Sequence, residues 1–83
     1  MEKKRIAILG STGSIGTQSL EVIGENPDLF DVEVLTANNN IELLIQQARQ
    51  FQPNAVVIAN KEKYSEVTDA LQNEPIKVFA GSE

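Results

Sequence analysis

The chain has no cysteine, no histidine and no tryptophan among its 83 residues. Without cysteine there can be no disulfide and no thiolate metal site. Without histidine the usual general base near neutral pH and the usual metal ligand are both missing. Ser-His-Asp and Cys-His arrangements are therefore excluded. Long apolar runs are also lacking. The charged start Met1-Glu2-Lys3-Lys4-Arg5 leads into Ile6-Ala7-Ile8-Leu9 and then Gly10, which is too short for a signal-peptide core. Nothing in the sequence approaches the ~18 apolar residues of a membrane span. Positive charge is scarce: Lys and Arg number 7 against 12 Asp and Glu, a net charge of −5. This disfavours nucleic acid and anionic membrane as partners. A phosphorylated small molecule remains open to it, because backbone amides and a helix terminus need no cationic side chain. A cytoplasmic location is the simplest reading.

What is present is an even apolar composition, 41% of residues, with no low-complexity tract. That suits one small globular domain over residues 1–83. The apolar pattern alternates strand and helix. Arg5–Leu9 reads as a strand buried on both faces. From Ser14 to about Asn26, Ile15, Leu20, Val22 and Ile23 fit one broad helical face, ended by Gly24 and Asn26-Pro27. Leu29-Phe30 is expected to cap the sheet edge, and Asp31–Thr36 reads as a second strand with Val32 and Val34 alternating. Ile41, Leu44, Ile45, Ala48 and Phe51 mark the clearest amphipathic helix, with Asn40 as its N-cap and Pro53 closing it. Ala55–Ala59 is a third strand. Asn60 suits the cap of a third helix with Tyr64, Val67, Ala70 and Leu71 on its inner face. Pro75 stops that helix, and Ile76–Ala80 is a fourth strand. The order βαβαβαβ predicts an α/β fold: a Rossmann-like parallel sheet with flanking helices, three-layer α/β/α and incomplete. Gly81-Ser82-Glu83 follows the last strand with no closing helix, so the chain is expected to be the N-terminal piece of a longer protein.

The turn between the first strand and first helix is Gly10-Ser11-Thr12-Gly13-Ser14-Ile15-Gly16. Its spacing is G-x-x-G-x-x-G. In a dinucleotide fold one glycine permits the tight turn, one lets backbone approach a pyrophosphate, and one lets the helix pack closely on the strand. Gly10, Gly13 and Gly16 suit those roles in order. The hydroxyls of Ser11, Thr12 and Ser14 can donate to phosphate oxygens. The plain alternative is a strand-to-helix turn with no ligand. The other phosphate motif, G-x-x-x-x-G-K-[S/T], is absent.

An NAD site usually has Asp or Glu at the end of the second strand to bind the ribose hydroxyls. Here that place is Thr36-Ala37-Asn38, and no carboxylate lies between Thr36 and Asn40. The absence favours NADP over NAD. Asn38, Asn39 and Asn40 offer amide donors and Thr36 a hydroxyl, although no Arg or Lys lies in the loop. The same asparagines also serve as turn and cap residues.

The string Ile8-Leu9-Gly10-Ser11-Thr12-Gly13-Ser14-Ile15-Gly16 and the continuation Thr17-Gln18-Ser19-Leu20-Glu21-Val22 resemble the start of the 1-deoxy-D-xylulose 5-phosphate reductoisomerase family. Asn26-Pro27-Asp28-Leu29-Phe30, Leu35-Thr36-Ala37-Asn38-Asn39-Asn40 and Phe51-Gln52-Pro53 extend the resemblance over essentially the whole chain. It implies a homodimeric parent enzyme using NADPH and a divalent metal, Mg²⁺ or Mn²⁺. That enzyme converts 1-deoxy-D-xylulose 5-phosphate to 2-C-methyl-D-erythritol 4-phosphate in non-mevalonate isoprenoid biosynthesis. It further implies that Gly10, Ser11, Thr12, Gly13, Ser14, Ile15 and Gly16 meet the cofactor, with Thr12 to Ile15 on its pyrophosphate and nicotinamide side. Ala37, Asn38, Asn39 and Asn40 would lie at the adenosine ribose and its 2′-phosphate. Metal ligands and catalytic residues are expected in later segments, so this chain alone is expected to be inactive. The alternative is a stand-alone NAD(P)-binding sensor or scaffold. If the fourth strand lies beyond the third, the first strand is left as an open edge, and the chain is expected to self-associate through it.

Overall fold

The computed structural model describes residues 3–81. Four strands, β1 (Lys4–Ile8), β2 (Phe30–Ala37), β3 (Ala55–Ile58) and β4 (Lys77–Ala80), form one parallel sheet in the order β1-β2-β3-β4. Between them run α1 (Ser14–Glu25), α2 (Ile41–Phe51) and α3 (Tyr64–Ala70), the last preceded by a 3₁₀ turn over Lys61–Lys63. The predicted alternation is present, and the fold is Rossmann-like α/β. Element boundaries fall within a few residues of the sequence reading, because Pro27, Pro53 and Pro75 lack the N–H a helix needs.

Parallel strands added in one direction by right-handed crossovers place their connecting helices on one face of the sheet. The core agrees. Ile8, Val32, Leu35, Ala37, Val56 and Ile58 of the strands join Leu20 and Ile23 of α1, Leu44 and Ala48 of α2, and Val67 of α3 in a single buried cluster. The described residues thus supply two of the three layers expected. On the opposite face Leu9 and Phe79 are exposed, 79% and 51%.

This one-sided cover corrects several expectations. β1 is an edge strand, and of its residues only Ile8 is fully buried while Ala7 is exposed. A strand buried on both faces would need a second helical layer and a second neighbour. On β2 a register shift between Ile6 and Ala7 passes over Glu33. This bulge puts Leu35 and Ala37, rather than Val34, in phase with Val32 in the core. Phe30 opens β2 and packs against the core, whereas Leu29 is exposed and its carbonyl accepts from the Lys4 N–H at 2.9 Å. On α1, Leu20 and Ile23 face inward but Ile15 and Val22 do not. On α3, Val67 is buried and Tyr64 exposed. Helices α1 and α3 thus touch the sheet along a stripe narrower than expected, whereas the whole expected stripe of α2, Ile41, Leu44, Ile45, Ala48 and Phe51, lies in or against the core.

Candidate functional site

The carboxyl ends of the strands carry the glycine turn and the asparagine run side by side, the edge at which open α/β sheets bind ligands. Gly10 leaves β1 with φ at +69°, a left-handed value that glycine adopts without strain. Its carbonyl then accepts from the Gly13 N–H at 3.0 Å, closing the turn. Gly13 is the N-cap of α1. It brings no capping side chain, and the first turn of α1 holds no acidic residue. The first α-helical bond is Thr17 N–H to Gly13 carbonyl, 2.9 Å. Among the described residues nothing accepts from the N–H groups of Ser14 and Ile15. They form a set of donors at the positive end of the helix dipole.

Gly16 explains why the helix can start so close to the turn. A Cβ there would stand 2.7 Å from the Ser11 Cα and would also strike the Gly10 carbonyl. The close-packing role given to the third glycine of the motif fits this position. At Gly13 an added Cβ would touch the Gly10 carbonyl oxygen at 3.4 Å.

Ser11 departs from the expectation that its hydroxyl faces phosphate. The residue is fully buried. Its N–H donates to the Thr36 carbonyl at 2.8 Å, and its hydroxyl donates to Gln47 Oε1 at 2.7 Å. Its carbonyl accepts from Gln47 Nε2 at 2.8 Å. Every polar group of Ser11 is engaged inside the protein, which leaves none for a ligand. Thr12 is half-buried, and Gly13, Ser14 and Ile15 are exposed.

Thr36 also holds the turn, its Oγ1 accepting from the Gly10 N–H at 2.8 Å. Ala37 sends its side chain into the core. Asn38, Asn39 and Asn40 are exposed. Asn40 Oδ1 accepts from the Leu43 N–H at 3.2 Å, the predicted cap of α2. Asn39 Oδ1 accepts from Asn60 Nδ2 at 2.8 Å, and the Asn60 N–H donates to the Asn38 carbonyl at 3.1 Å. These bonds tie the β3 turn to the asparagine run. A cleft of about 430 Å³ opens beside the run, lined by Leu9, Thr36, Asn38, Val57 and Ala59 among others. It is continuous with the uncovered sheet face.

Sequence reasoning missed Gln47, which holds Ser11 from α2. It lies on the apolar stripe of α2, four residues before Phe51, yet is polar and only 6% exposed. A polar residue on an inward stripe was the available signal.

A parallel sheet with a glycine turn opening onto an uncapped helix defines a Rossmann-like domain. Residues 6–83 match the profile of the 1-deoxy-D-xylulose 5-phosphate reductoisomerase family, and the chain belongs to that family. It is 66% identical over 80 residues to the 1-deoxy-D-xylulose 5-phosphate reductoisomerase of Bacteroides thetaiotaomicron, a match covering 96% of this chain and 20% of the relative. The reductoisomerase of Chloroherpeton thalassium is 49% identical over 80 residues, covering 96% of this chain and 21% of its own length. Among solved structures, the Zymomonas mobilis reductoisomerase in complex with NADPH superposes with a TM-score of 0.93 at 34% identity. That match covers 96% of this chain and 21% of the other. A DOX-P reductoisomerase bound to NADPH, fosmidomycin and magnesium gives 0.90 at 25% identity, over 95% of this chain and 20% of its own. The chain therefore spans about one fifth of the length of the proteins it matches.

Proposed function

We propose that the chain is the NADPH-binding part of a 1-deoxy-D-xylulose 5-phosphate reductoisomerase. The parent enzyme rearranges and reduces 1-deoxy-D-xylulose 5-phosphate to 2-C-methyl-D-erythritol 4-phosphate, using NADPH and a divalent metal. The observation that carries this reading is the bare N-terminus of α1. Its cap residue has no side chain, its first turn no carboxylate, and it starts at the carboxyl end of β1. Its free N–H groups and dipole suit a pyrophosphate. Family membership over residues 6–83 supplies the class of ligand.

In this reading Gly10, Thr12, Gly13, Ser14 and Gly16 form the pyrophosphate cradle. The exposed Ile15 supplies an apolar contact on the nicotinamide side. Ser11 and Ala37 act through their backbone and packing. Asn38, Asn39 and Asn40 meet the adenosine ribose and its 2′-phosphate. The oxygens of Asn39 and Asn40 are occupied, so their NH₂ groups remain as donors. No carboxylate stands in this run to repel a 2′-phosphate. The cofactor, when bound, supplies hydride. This chain's residues hold and orient it and contribute no proton transfer.

No cluster of three or more metal-ligating side chains gathers among the described residues, so none is assigned to the divalent metal. The metal, the substrate phosphate and the catalytic carboxylates are read as belonging to the rest of the parent chain. The parent is taken to be a cytoplasmic homodimer of isoprenoid biosynthesis. No helix among the described residues is long and apolar enough to cross a membrane. The 83-residue chain alone is catalytically inert in this reading.

Titration with NADPH and NADH, followed by cofactor fluorescence, tests the proposal. Saturable binding with NADPH favoured is expected. Tighter binding of NADH would overturn the role given to the asparagine run. No binding of either by the folded protein would overturn the dinucleotide site.

A further inference from the structure

The link between Ser11 and Gln47 joins residues 36 apart in sequence by two buried hydrogen bonds. Its chemistry fixes its own direction. The Ser11 carbonyl can only accept, so the Gln47 NH₂ must face it. The Gln47 oxygen then faces the Ser11 hydroxyl, which must donate. Both side chains are satisfied, at 0% and 6% exposure. Burying an amide among Leu44, Ala48 and their neighbours gains nothing that leucine would not give. Such a group is tolerated only when its hydrogen bonds are made.

Ser11 occupies the second position of the turn closed by the Gly13 N–H and the Gly10 carbonyl. Thr36 grips this turn from the β2 side, through the Gly10 and Ser11 N–H groups. Gln47 grips it from the α2 side. The donors of α1 begin directly after the turn. Their spacing therefore depends on where Ser11 is held.

We propose that Gln47 is a positioning residue for the glycine turn, and that its amide, bridging α2 to Ser11, holds the α1 N–H donors in register for a dinucleotide pyrophosphate. This rests on the dinucleotide reading of the site, but its ordering effect on the turn can be read without any ligand. Gln47 touches no ligand. It acts through Ser11, so α2 and the anion site move as one unit.

The test compares the protein at its natural length, unaltered, with Gln47→Met and Ser11→Ala. The first variant keeps side-chain length and removes both hydrogen bonds. The second deletes one oxygen and guards against a folding failure of the first. Gln47→Met is expected to weaken NADPH binding about tenfold, the effect of losing one to two hydrogen bonds. Ser11→Ala is expected to weaken it about threefold by the same reasoning. Amide hydrogen exchange supplies the second readout. The Ser11 and Gly13 amides are expected to exchange about tenfold faster in Gln47→Met, while those of Val56 and Ile58 in β3 keep their rates. Unchanged turn amides in both variants would overturn the proposal. So would acceleration spread equally over the sheet, which is what a purely structural residue would give. If turn exchange responds but the unaltered protein binds no NADPH, the positioning of the turn stands and the dinucleotide reading falls.

Discussion

A methyl group at position 16 would meet backbone, not a side chain that could rotate away. The added Cβ would lie 2.7 Å from the Ser11 Cα and 2.9 Å from its carbonyl carbon. Relief requires α1 to move off the turn. Gly16→Ala is expected to destabilise the protein by about 2 kcal/mol or more, the range for overpacking a tight site. The shift of the urea midpoint measures it, and an unchanged midpoint would show that the turn yields easily. At this scale the glycine spacing was legible, because only one residue type lacks a Cβ. The Ser11–Gln47 link was not. Serine in a phosphate turn looks like a ligand donor until the partner on α2 is placed beside it.

Helices α1 and α2 begin in opposite ways. Asn40 caps α2 with its side chain, and Glu42 sits in that helix's first turn. At α1 neither device is present. A helix start left bare is less stable by itself and better suited to an external anion. Ser14→Asp separates the two effects. A carboxylate in the first turn is expected to stabilise the protein by about 0.3–1 kcal/mol through the helix dipole. The same charge is expected to weaken NADPH binding about tenfold or more by repulsion and by occupying the donors. Thermal unfolding and NADPH titration on the one variant check both signs. Weakened binding together with lowered stability would point instead to a damaged helix. The elements themselves were readable from prolines and asparagine caps, which act locally. Which face of α1 and α3 is buried was not. The apolar Ile15, Val22 and Tyr64 are exposed because a helix against one sheet face covers only a narrow stripe.

At the scale of the whole molecule, the uncovered sheet face and the two sheet edges dominate the surface chemistry. Leu9 and Phe79 are exposed on that face, and β1 and β4 each lack a neighbour on one side among the described residues. Lys4 and Arg5 guard one end of β1, but Ala7 and Ile8 carry no charge. An edge with a bare apolar flank pairs with other chains. The 83-residue chain is expected to self-associate through β1, seen as a sedimentation coefficient that rises with concentration. Ala7→Lys, which places a charge on the exposed flank of that strand, is expected to restore a monomer. A single monomeric species of the unaltered chain at high concentration would count against this. The parallel α/β pattern was legible in the sequence because each strand and helix signals itself. The one-sided cover was not, since it follows from the spatial order of the strands.

That order has a consequence for how the molecule is made. Each strand lies beside the one before it in sequence, with a single helical connection between them. The loops to be closed are short, and closure entropy rises only slowly over such lengths. A chain leaving the ribosome can add β2 to β1, then β3, then β4, each against a surface already synthesised. Among the described residues, no strand pairing waits for a distant segment. The glycine turn takes shape only at the second step of this growth, because its Ser11 anchor, Gln47 on α2, emerges after β2 and before β3.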